Sequence, residues 1–119
     1  MRFDVLLGKT LTAINGAKKD SSCIWFHTMD GEVYEMSHTQ SCCEGVEVED
    51  ICGDLDALIG YPIVQAEESS DTNDSGTESW TFYKISTIKG SVTIRWIGRS
   101  NSEYAMEVDF ALLGKPYES

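Results

Sequence analysis

The chain has 119 residues, of which 41% are hydrophobic, enough for one domain with a core of its own. It carries 9 Lys and Arg against 20 Asp and Glu, a formal net charge of −11; this excludes generic duplex binding and docking on an anionic membrane, since both need a basic surface. No apolar run reaches the ~18 residues of a membrane-spanning helix, and the opening Met-Arg-Phe-Asp-Val-Leu-Leu-Gly holds an acid and only a short apolar run, so no secretion signal is expected.

Taken in chain order, residues 8–14 read as a short β segment, with Leu6, Leu7, Leu11 and Ile14 as core candidates. Lys18-Lys19-Asp20-Ser21 is a turn. Cys23-Ile24-Trp25-Phe26-His27-Thr28 is a strand, rich in aromatic and β-branched residues. Asp30-Gly31 suits a tight hairpin with positive φ, and Glu32-Val33-Tyr34-Glu35-Met36-Ser37 is the returning strand.

Residues 38–45 are polar and rich in cysteine. Val48, Ile51, Cys52, Leu55, Leu58 and Ile59 then step by three and four, which predicts an amphipathic helix or two short turns broken near Gly53. Asp54 is placed to cap the second turn, and Gly60 to stop it. Residues 62–66 read as strand. Residues 67–79 hold no apolar side chain and predict a solvated, mobile acidic loop.

The last third is strongly β. Residues 80–88 form one strand, Lys89-Gly90 the turn, and residues 91–97 the next strand, with Val92, Ile94 and Trp96 on one face. Gly98-Arg99-Ser100-Asn101-Ser102 is a second turn. Tyr104, Met106, Val108 and Phe110 alternate with Glu103, Ala105, Glu107 and Asp109, the pattern of a half-buried strand. The expected fold is α+β: one domain over residues 1–119, with about seven antiparallel strands in a single sheet and one or two short helices near residues 46–59.

Several blocks carry a family resemblance: His38-x-Gln40-x-Cys42-Cys43-Glu44, Glu49-Asp50-Ile51, Gly53-Asp54-Leu55, Trp80-Thr81-Phe82-Tyr83-Lys84, Gly90-x-Val92-Thr93-Ile94-Arg95-Trp96 and Gly98-x-Ser100-Asn101. Together they resemble a family of small uncharacterised proteins encoded by tailed phages, prophages and some bacteria. The likeness runs from Gly8 to Phe110. In that family the Ser-Asn turn continues with a Gly and an aromatic pair, whereas here it continues Ser102-Glu103-Tyr104-Ala105. The resemblance implies a viral or mobile-element source and an accessory protein acting on its host.

The charge is uneven. Residues 20–83 carry 15 acids and no Lys or Arg, and the rest of the chain carries 5 acids and all 9 bases. Glu67, Glu68, Asp71, Asp74 and Glu78 are therefore candidates for docking on a basic partner, with electrostatic steering of the encounter. The bland reading of the same residues is solubility. Tyr83 and Arg95 fall opposite to Phe82 and Trp96 on their strands and are candidates for a surface contact, while Trp25, Phe26, Trp80, Phe82 and Trp96 are assigned to the core.

A second constellation is His38, Gln40, Glu44, Asp50 and Asp54, joined by Arg95, Trp96 and Asn101. Arg and Trp together stack on a base or hold a phosphate, so this set would sequester a small anionic ligand such as a nucleotide. Its bland reading is capping of turns and backbone amides.

The third constellation is cysteine-based. Cys23, Cys42, Cys43 and Cys52 are even in number, but without a secretion signal a reduced, cytoplasmic setting is expected. His38, Cys42 and Cys43 would suit zinc by donor type, although the spacing is not that of paired zinc ligands. A Cys42 or Cys43 nucleophile activated by His38 is the corresponding enzyme reading. Neither is needed by the favoured expectation. That expectation is a non-enzymatic, cofactor-free binding protein that antagonises a host defence system through a basic host protein, with homodimerisation through exposed strand edges as a further option.

Overall fold

The computed structural model describes residues 3–37, 44–72, 78–100 and 108–114. Among the described residues eight strands follow in chain order: β1 (Leu11–Asn15), β2 (Cys23–Thr28), β3 (Val33–Ser37), β4 (Glu44–Cys52), β5 (Gln65–Thr72), β6 (Glu78–Thr87), β7 (Gly90–Ser100) and β8 (Asp109–Gly114). They form two four-stranded sheets, ordered β1-β2-β3-β8 and β4-β7-β6-β5, and every neighbouring pair is antiparallel.

Period-two alternation explains why two sheets form. On β2, Ile24, Phe26 and Thr28 are buried and the residues between them are not. On β3, Tyr34 and Met36 are buried; on β6, Thr81, Tyr83, Ile85 and Thr87 are; on β7, Val92, Ile94 and Trp96 are. Each sheet thus has one apolar face, which must meet another such face to leave water. The inner faces share one core cluster with Val46, Val48 and Phe110, and the molecule is only 21 Å thick along its shortest axis. That thickness fits two layers spaced roughly 10 Å apart.

Phe3 closes one side of this sandwich. It sits on a 3-10 turn, Phe3–Leu6. Its ring packs edge-on against Tyr83 of one sheet at 4.7 Å and Phe110 of the other at 5.2 Å. Phe110 in turn stacks on Tyr34 at 5.4 Å. Edge-to-face and offset pairs of this kind add to simple area burial.

Three sequence expectations are corrected. The domain is mainly β rather than α+β, and its sheets number two rather than one. The helix expected near residues 46–59 is strand β4 followed by a 3-10 turn, Leu55–Leu58. The physical reason is a β-bulge. Val46 and Val48 alternate inward, the register slips between Val48 and Asp50, and Ile51 resumes the inward side. One extra residue converts a step of two into a step of three, which imitates helical spacing. Asp54 does cap the short turn: Asp56 N–H donates to Asp54 Oδ1 at 3.0 Å.

The third correction concerns the acidic loop expected at residues 67–79. Glu67, Glu68 and Asp71 lie on strand β5, hydrogen-bonded to β6 in unbroken register from Gln65 opposite Ser86 to Thr72 opposite Ser79. A strand with no apolar residue after Ala66 forms here because β6 supplies a full ladder of backbone partners. Residues 73–77 lie outside the described residues.

Candidate functional site

The outer face of the second sheet gathers charged, aromatic and thiol side chains. Register brings three rows of side chains across its four strands. Asp71, Trp80, Ile97 and Glu47 form one row. Ser69, Phe82, Arg95 and Asp50 form the next, and Glu67, Lys84, Thr93 and Cys52 the third. Trp80 and Phe82 are half-buried there, while Ile97 is 3% exposed although it stands outside the main core cluster.

The two arginines of this face each lie between two carboxylates. Arg95 Nε is 2.6 Å from Glu49 Oε1, and Nη2 is 3.9 Å from Asp50 Oδ2. The Nε contact is an ion pair without hydrogen-bond alignment, since that buried N–H has no aligned acceptor among the described residues. Arg99 Nε is 3.4 Å from Glu78 Oε2, and Nη1 is 3.9 Å from Glu47 Oε1. The bulge at Glu49 is what lets two successive acids of β4 reach one guanidinium. Elsewhere, Lys9 Nζ is paired with Glu32 Oε1 at 2.8 Å.

Strand β5 is the edge of this sheet, and every residue from Glu67 to Thr72 is exposed. Glu67 Oε1 accepts from Gln65 Nε2 at 2.7 Å, and Asp71 Oδ1 accepts from the Thr72 N–H at 2.9 Å. Beside the strand runs an open groove of about 520 Å³, lined by Phe3, Asp4 and residues 66–70. Its charged lining, Asp4, Glu67 and Glu68, is entirely acidic.

A family model described as a domain of unknown function, DUF7448, matches residues 4–110. The chain belongs to that family. No curated protein and no solved structure matches it. The DUF7448 match begins in the first 3-10 turn and ends at Phe110, so it takes in the facing apolar surfaces of both sheets.

Within this DUF7448 domain the sequence-derived ligand set is dispersed. Arg95 and Asp50 do meet, as an ion pair. Trp96 is not available to a ligand on that face. It is 1% exposed, and its indole N–H donates to Met36 Sδ at 3.1 Å. Adjacent strand residues point to opposite faces, so Arg95 and Trp96 cannot flank one ligand. Asp54 serves its turn. Glu44 opens β4 opposite Ser100. His38, Gln40, Cys42, Cys43, Asp74 and Asn101 lie outside the described residues. Among the described residues, no three His, Cys, Asp or Glu side chains are grouped to hold a metal ion.

Of the acidic docking set, Glu67, Glu68 and Asp71 share β5, and Glu78 stands on β6 against Arg99. Tyr83, expected at the surface, is fully buried, and burial drives its phenol well above the usual tyrosine range. Trp80 and Phe82, expected in the core, take the outward side instead. Lys84 has the same parity as both, and a charged residue on a strand marks the solvent face; that signal identifies Trp80 and Phe82 as outward. Glu47 is outward by the same parity, between the inward Val46 and Val48, whereas no such pattern points to Glu49, whose role depends on the bulge.

On the outer face of the first sheet, Glu35 accepts from Trp25 Nε1 at 3.0 Å and from Ser37 Oγ at 3.2 Å. Burial, reinforced by the charge of Glu35 and a hydrogen bond to it, pushes the Cys23 thiol up to about 11. A thiol held protonated in this way is a poor nucleophile.

Proposed function

We propose that this domain is a non-enzymatic binding protein of phage or prophage origin that docks on a basic surface of a host protein and antagonises a host defence system in the cytoplasm of the host cell. One observation supports this most: Arg95 and Arg99 are each engaged by two carboxylates, while β5 presents Glu67, Glu68 and Asp71 on an exposed edge. The engaged arginines leave little positive charge for an anionic ligand, which favours a basic partner over a nucleotide. The phage source and the opposition to host defence rest on the sequence resemblance. Steering by such a surface raises the association rate and fades with salt.

The test uses the purified domain as bait for host proteins, beside a variant with Glu67→Gln, Glu68→Gln and Asp71→Asn. A captured protein should have a basic surface, bind the variant at least about tenfold more weakly, and lose affinity as salt rises. Equal capture by the variant, with affinity unchanged across salt, would overturn the reading.

A further inference from the structure

We propose that the end of the sandwich carrying the β2–β3 and β6–β7 hairpins is the interface of a two-fold homodimer, in which Asp30 of each copy pairs with Lys89 of the other. This contact does not rest on the reading of the domain as a binder of basic proteins.

The large hydrophobic side chains left exposed among the described residues are Leu7, Met29, Val64, Ile88, Leu112 and Leu113. Backbone contacts bring all six to one end of the molecule. Met29 N–H donates to Thr10 O at 2.8 Å, and Thr10 bridges to Pro62. Gly8 N–H donates to Ile63 O, and Val64 N–H to Ser86 O, both at 2.8 Å. These links run from the tip of the β2–β3 hairpin, past Leu7 and Val64, to the tip of the β6–β7 hairpin. Leu112 and Leu113 join the same end, because Gly114 pairs with Val33 just after the first hairpin.

The two hairpin tips are the centre of this surface. Met29 is 68% exposed and Ile88 76%, the highest values of the six. Strands β2 and β3 are the middle strands of one sheet, and β6 and β7 of the other, so both tips rise from the middle of the end. Single exposed hydrophobics are ordinary, but a gathering of them marks a contact surface. Together the six expose on the order of 600 Å², most of the ~800 Å² that each partner gives to a standard interface.

Charge selects a second copy as the occupant. At −11 the chain repels itself over much of its surface. The segments that carry these hydrophobics, 7–9, 29–32, 61–64, 88–89 and 112–113, instead hold two lysines and two acids. Lys9 and Glu32 pair with each other at 2.8 Å. That leaves Asp30 and Lys89 on these segments, one at each hairpin, beside Met29 and Ile88. A two-fold axis through the middle of the end lays the first hairpin of one copy on the second hairpin of the other. Every such contact then occurs twice: Met29 meets Ile88, and Asp30 meets Lys89. Opposite charges at the two tips thus make the surface complementary to itself. A lipid surface is the poorer occupant. Asp54 and Asp56 border this end, where Thr87 Oγ1 donates to Ala57 O, and they repel anionic headgroups.

The experiment measures the mass of the purified domain by sedimentation across a concentration series. The expected result is a concentration-dependent mass of two chains. Asp30→Lys and Lys89→Glu each place like charges at both contacts, and each should weaken self-association at least about tenfold. Mixed in equal amounts, the two single variants should associate again, because a mixed pair restores both opposite-charge contacts. Neither Asp30 nor Lys89 adopts a positive φ, so the reversals leave the turns unstrained. Unchanged circular dichroism and melting temperature of the variant monomers confirm that the fold is kept. A monomer at every concentration would overturn the proposal. So would a dimer that survives Met29→Ser with Ile88→Ser, or one that ignores both charge reversals. A monomer that binds phosphatidylcholine vesicles, and loses that binding with Met29→Ser and Ile88→Ser, would assign the end to lipid and overturn the proposal as well.

Discussion

The indole N–H of Trp96 donates to the sulfur of Met36 at 3.1 Å, and this bond joins the two sheets across the core. Trp96 lies on β7 and Met36 on β3, 60 residues apart in sequence. Both side chains are essentially inaccessible to water. A buried N–H without an acceptor carries a desolvation cost, so the thioether does more here than fill space.

Replacing Met36 by Leu keeps volume and apolarity but removes the acceptor. The expected loss is about 1–2 kcal/mol, more than a volume-conserving swap alone would cause. Urea unfolding of the single variants and of the pair Met36→Leu with Trp96→Phe measures it. The double variant should lose less than the sum of the singles, because the second change removes the donor left unpaired by the first.

Gly53 adopts φ +119°, and a Cβ placed there would meet the Ser91 carbonyl oxygen at 2.5 Å. Gly60 adopts φ +87° with open space around it. Gly53→Ala should therefore combine backbone strain with a clash against β7, at about 3 kcal/mol. Gly60→Ala should show strain alone, at about 1 kcal/mol. Thermal unfolding of the two variants side by side separates these contributions; equal losses would remove the steric one.

The ion pairs of Arg95 are partly exposed, with 40% of its side chain accessible against 28% for Glu49 and 51% for Asp50. Arg95→Ala should accordingly cost only about 0.5 kcal/mol at low salt, and the difference should shrink as salt is added. Melting temperatures across an ionic-strength series test this. A large, salt-independent loss would mean that the aliphatic stem of Arg95, which stands opposite Phe82 in the β6–β7 register, matters more than its charge.

Cys23 ionises at about 11 in the folded domain against an ordinary value of 9.0. Its contribution to stability is thus fully present below about pH 9 and is lost as pH rises toward 11. Alkylation of Cys23 followed by mass spectrometry should show a pH midpoint near 11. Burial is the largest cause and Glu35 the next, so Glu35→Gln should lower the midpoint and quicken alkylation at a given pH. An unchanged midpoint would assign the shift to burial alone.

Much of the strand content can be read from the chain. Strand β2 lies where Cys23-Ile24-Trp25-Phe26-His27-Thr28 predicts it, and Gly31 takes the positive φ, +84°, that the Asp30-Gly31 hairpin requires. Val92, Ile94 and Trp96 share one buried face as their alternation implies. The cap by Asp54 is local chemistry and is equally legible. The predicted ligand set was less so. Asp50 and Arg95 meet, but Trp96 turns inward and Asp54 caps its own turn.

What local pattern determined in this protein is which segments extend, because a period of two in side-chain polarity is written directly in the residues. Tertiary structure alone decided the rest. On β6 both alternating sets carry large apolar side chains; Lys84 marks the Trp80 and Phe82 set as outward, and the tertiary structure adds what the inward Tyr83 meets, the ring of Phe3. On β4 a single bulged residue disguised a strand as a helix, and only pairing with β7 reveals it. On β5 an acidic, seemingly unstructured run became an edge strand because β6 offered it a ladder. Backbone pairing depends on neighbours distant in sequence, so no local pattern announces it.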